Sequence, residues 1–168
     1  MIDMLKKGRA ILCRLLELVL IVAVGILVLD VLWGVFTRYA LGEQAKWSEE
    51  LARFLLVWVS LLGGAVAFGE KAHLGVDYFV GKLDPAAGKF IAVFGQLVIL
   101  LFALAIFIYG GIRVVNNALE MAQTTPALGW KMGHVYMAVP IAGFFIIIFA
   151  FEQLIETVMS DSSKKEEN

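Results

Sequence analysis

Four apolar runs, at roughly 15–36, 54–68, 90–112 and 135–155, occupy about half of this 168-residue chain. A bilayer core about 30 Å thick takes about 20 helical residues to cross. Three runs reach that length outright. The second does so once the interfacial turns 47–53 are added. In lipid, backbone polar groups must bond within the segment, so helices are the expected solution. The runs show none of the period-two alternation of a β-barrel strand. The sequence therefore predicts an all-α integral membrane protein, with spans at about 15–37, 47–69, 87–113 and 134–157 and a polar tail at 160–168. The 61% hydrophobic content and mean hydropathy of +0.86 agree.

Little remains for a soluble site. The net charge of −1 offers no basic face for nucleic acid. Cys13 is the only cysteine, which excludes an internal disulfide or a cysteine metal cluster. Cys13 reads as a small apolar residue rather than a palmitoylation site. His73 and His134 fall on opposite sides of the membrane, about 30 Å apart, and cannot share one haem. There is no phosphate-binding glycine loop, zinc spacing or nucleophile elbow. The chain is expected to be no enzyme and to hold no cofactor.

Lysines and arginines set the orientation. Lys6, Lys7, Arg9 and Arg14 precede the first span, and Lys71, Lys82 and Lys89 lie between the second and third. This excess predicts both termini and the second loop in the cytoplasm. The first span is too long for a cleaved signal and reads as retained. Within the second loop, Val76, Phe79, Val80 and Leu83 form one apolar stripe. They predict a short amphipathic helix at about 75–84, lying in the cytoplasmic interface.

Charged residues near the bilayer carry the most information. Asp30 lies inside the first span, about 12 Å below Arg38. The second helix opens Trp47-Ser48-Glu49-Glu50-Leu51-Ala52-Arg53. Ser48 is a candidate N-cap, with both glutamates suiting the positive helix end. Glu49 and Arg53 are spaced for an i, i+4 pair. Arg53 is also expected to pair with Asp30 and fix the packing of the first two helices, in preference to a proton or ion relay. Small residues four apart, Ser60 with Gly64 and Ala138 with Ala142, predict close helix packing. Pro126, Gly129 and Gly133 predict an ordered turn at 125–133, and Pro140 allows a kink early in the last span.

The residues Arg38-Tyr39, Trp47–Arg53 as quoted above, Gly63-Gly64-Ala65 and His73-Leu74-Gly75-Val76-Asp77 resemble the small membrane subunit of tripartite ATP-independent periplasmic (TRAP) transporters. Thr125-Pro126-Ala127-Leu128-Gly129, Met132-Gly133 and Val135-Tyr136-Met137-Ala138-Val139-Pro140 continue the likeness. It covers about 38–140, and Lys131 departs from the apolar or proline residue expected there. The resemblance implies a non-catalytic subunit in a bacterial inner membrane. Its partners would be a large multi-span permease, a periplasmic substrate-binding protein and lipid. Substrate and sodium sites would belong to the large subunit, which moves an organic acid such as a C4-dicarboxylate or sialic acid. Glu43, Lys46, Glu49 and Lys131 are then candidates for docking the binding protein. The alternative is a stand-alone oligomeric transporter or channel built around Asp30.

Overall fold

The computed structural model describes residues 2–70 and 85–165. The interfacial helix expected at 75–84, with Val76, Phe79, Val80 and Leu83, lies outside them, as do His73 and Asp77. Helix α1 runs Ile2–Ala40 and α2 Lys46–Gly69. Helix α3, Pro85–Phe102, passes into a π-helical segment, Ala103–Gly110, and then into α4, Gly111–Glu120. A loop leads to the short α5, Met132–Tyr136, and to α6, Ala138–Lys165. Four stretches are long and apolar enough to cross a membrane: Lys7–Ala40, Lys46–Gly69, Phe90–Glu120 and Met132–Val158.

The spans stand in a row instead of closing into a bundle. α1 packs on α2, α2 on α6, and α6 on α3 and the π segment, while α1 also reaches α6 at one end through Arg9 and Glu152. Among the described residues the α3 backbone stays clear of the α1 and α2 backbones. The core joins the inner faces of this row through Cys13, Leu16, Leu62, Val66, Phe149 and Ala150. Ala65, Ala138, Ala142 and Ala150 are fully buried. Such small side chains let helix backbones approach where lipid supplies no hydrophobic drive. Gly69 serves the same purpose, since a Cβ there would lie 2.8 Å from Phe149 and 2.9 Å from the Cys13 sulfur.

The last span breaks at Met137, where α5 meets α6. Pro140 has no N–H to give the Tyr136 carbonyl, which explains a discontinuity there. The π segment lies alongside. A Cβ on Gly143 would come within 2.3 Å of Phe107 Cβ, and one on Gly111 within 3.0 Å of Pro140. Helix α6 continues to Lys165, through most of the polar tail. No proline or glycine interrupts that stretch to stop it.

Helix α4 stops through paired backbone bonds. The Gln123 amide donates to Ala118 O at 3.1 Å and the Ala122 amide to Leu119 O at 3.0 Å. This is a Schellman closure, in which the residue after the helix takes left-handed φ. Here it is Ala122, at φ 48°, where glycine is usual.

Candidate functional site

At one end of the row polar side chains tie the 41–45 connection to α1 and the 125–131 loop to the first turns of α2. Thr37, buried on α1, donates to Gly34 O at 3.0 Å and accepts from the Ala45 amide at 3.2 Å. The 41–45 connection, which turns at Gly42 with φ +81°, is thereby tied back to α1. Ser48 does not cap α2 as expected. Its hydroxyl donates to the Asp30 backbone oxygen at 3.0 Å and bridges the two helices. The N-cap is Ala45, with no side-chain bond.

The Asp30–Arg53 pair does not form. Asp30 is buried, and neither of its carboxylate oxygens has a hydrogen-bond partner. Arg53 instead meets Glu49 at 3.0 Å, with both side chains largely exposed. Helix rotation explains the miss. At about 100° per residue, Arg53 lies about 140° around α2 from Ser48, which faces α1. The Glu49–Arg53 contact is an exposed i, i+4 pair and adds little stability.

Glu50, one residue on, makes the contact that sequence reasoning missed. Its Oε2 accepts from the amides of Ala127 at 3.1 Å and Leu128 at 2.7 Å. Consecutive amides of a turn form a concave donor site for a carboxylate. The turn is closed by Gly129 N to Thr125 O at 3.1 Å, with Gly129 at φ +68°. Thr125 locks it further, since its amide donates to Trp130 O and its hydroxyl accepts from Trp130 N. Around this turn Glu43, Lys46, Glu49, Trp130 and Lys131 are exposed.

At the opposite end Arg9 Nε lies 3.6 Å from buried Glu152. Gln96 donates to Gln153 at 2.8 Å, and Gln153 donates to the Phe68 carbonyl at 3.0 Å, linking α3, α6 and α2. Of the small residues expected to pack closely, Ala138 and Ala142 are buried. Ser60 and Gly64 are exposed along a groove between α2 and α3, floored by Ile146. A Cβ on Gly64 would meet nothing within 4 Å. Among the described residues no cluster of His, Cys, Asp or Glu could hold a metal ion.

This architecture has counterparts in known proteins. The family model "Tripartite ATP-independent periplasmic transporters, DctQ component" matches residues 27–159. The sialic acid TRAP transporter small permease protein SiaQ of Vibrio cholerae is 27% identical, over 89% of this chain and 85% of its own length. The C4-dicarboxylate TRAP transporter small permease protein DctQ of Rhodobacter capsulatus is 30% identical over 67% of this chain and 49% of its own. The sialic acid TRAP transporter permease protein SiaT of Haemophilus influenzae is 30% identical over 77% of this chain, which amounts to only 20% of that protein. These relatives are transporter subunits and not enzymes. The chain belongs to the DctQ family, the small permease subunits of tripartite ATP-independent periplasmic transporters.

Proposed function

We propose that this chain is the scaffold of its transporter: it braces a large multi-span permease that carries the solute. The observation that carries this reading is the open row of helices. Leu101, Phe94, Leu18 and Leu29 remain 59–68% exposed on the spans. Such surfaces suit lipid or a larger membrane partner. The match of this chain to a fifth of a longer permease supports the second choice. The protein would sit in the bacterial inner membrane with both termini in the cytoplasm, following the lysine and arginine distribution. The transported solute would be an organic acid, as the sialic acid and C4-dicarboxylate relatives suggest. Sodium coupling would reside in the large subunit. Glu43, Lys46, Glu49 and Lys131 would lie on the face that receives the soluble binding protein.

The test is reconstitution with and without this chain. Vesicles holding the large subunit, the binding protein and an inward sodium gradient should accumulate the organic acid only when this chain is present. Equal uptake without it would overturn the scaffold reading. The buried, unpartnered Asp30 carboxylate favours the stand-alone alternative. Ion or solute flux through the purified chain alone would establish that alternative instead.

A further inference from the structure

We propose that Glu50 is a positioning residue: its carboxylate holds the 125–131 loop in the shape that receives the soluble substrate-binding protein. The inference rests on the docking reading above and assigns to it a residue that acts through the shape of the loop.

The geometry begins with one oxygen. Glu50 Oε2 alone accepts both loop amides, so the loop is gripped at a single point. The acceptor is charged, which strengthens each bond relative to a neutral pair. Pro126 contributes no N–H beside those donors, and Gly129 supplies the left-handed turn that brings the chain back. Thr125 is buried beneath, and the Thr124–Lys131 bridge closes the base. Trp130 and Lys131 therefore leave a fixed base and point outward, with Trp130 half exposed.

The occupant follows from where the loop stands. The third span is 31 residues long, or about 46 Å, against about 30 Å of hydrocarbon. Once the apolar 90–112 stretch is placed in the bilayer, α4 and its loop project into water. The exposed groups there combine aromatic and thioether surface, at Tyr39, Met121 and Trp130, with charge at Lys46 and Lys131. That mixture suits a soluble protein partner rather than acyl chains. Holding a loop in its bound shape lowers the entropy lost on docking.

The experiment uses the complex of this chain with its large subunit in lipid nanodiscs. A purified substrate-binding protein of the same transporter is titrated on, and amide exchange is followed at residues 125–131. In Glu50→Ala the amides of Ala127 and Leu128 should exchange faster. The dissociation constant for the binding protein should rise at least about tenfold, with subunit stoichiometry unchanged. Glu50→Gln presents one carbonyl oxygen at the same place, so it should keep the loop protected and the affinity within about threefold. Glu50→Asp, which withdraws the oxygen by about 1.5 Å, should fall between them, and it serves if the alanine variant fails to assemble. A loosened loop with unchanged affinity would overturn the proposal. So would loss of the large subunit on Glu50→Ala, which would place the loop at the membrane interface. So would a Glu50→Gln variant that keeps loop protection yet binds as weakly as Glu50→Ala. No binding by the wild-type complex would overturn the docking reading itself, a failure distinguishable from that of Glu50.

Discussion

The Ser48 hydroxyl donates to the Asp30 carbonyl oxygen at 3.0 Å, crossing from α2 to α1 beside a carboxylate that no donor reaches. One residue thus supplies a backbone acceptor to the helix contact and a side chain that the contact does not use. Gly34, a turn farther along α1, leaves room for the same hydroxyl. A Cβ there would stand 3.1 Å from Ser48 Oγ.

Ser48→Ala removes this bond and leaves the Asp30 carbonyl to its helical partner. The expected loss is about 1 kcal/mol, read as a lower unfolding midpoint in detergent. Ser48→Leu adds bulk against Gly34 and should cost more, about 2–3 kcal/mol.

Asp30→Asn should leave thermal stability unchanged or raise it. Neither side-chain oxygen has a hydrogen-bond partner to lose, and the amide has nearly the same shape. A large fall in melting temperature would instead indicate a partner for the Asp30 side chain.

Gly143→Ala should be poorly tolerated and Gly64→Ala well tolerated, although both are span glycines in one row of helices. The first adds a methyl 2.3 Å from Phe107 Cβ, which cannot swing away. It should cost about 1–3 kcal/mol. The second adds a methyl to open space. Thermal unfolding of the two variants side by side checks the contrast.

Ala122→Gly should stabilise the chain. The Schellman closure holds Ala122 at φ 48°, a left-handed conformation that costs a side-chain-bearing residue about 1 kcal/mol. Glycine removes that cost, and the gain should appear as slower amide exchange at Gln123.

The spans were legible because bilayer thickness imposes a length on apolar segments that no loop can imitate. The small residues were legible as packing signals, but not their direction. Ala138 and Ala142 turn inward, while Ser60 and Gly64 line an open groove. Asp30 and Arg53 were placed at a compatible depth, yet rotation about α2 sends Arg53 outward to Glu49. The Glu50 contact left no trace in the sequence, since its partners are backbone amides 77 and 78 residues away. Amides carry no residue identity. The π segment was equally hidden, because 103–110 is an apolar stretch whose only special residue is the terminal Gly110. Its widened turn accompanies the close fit of Phe107 over Gly143.

The central claim is that the open row of helices is completed by a larger membrane protein. The most direct measurement is the intact mass of the complex recovered when this chain, expressed with its chromosomal neighbours, is purified in mild detergent. The account predicts one stoichiometric partner, a larger membrane protein. A stable homo-oligomer without that partner would contradict it.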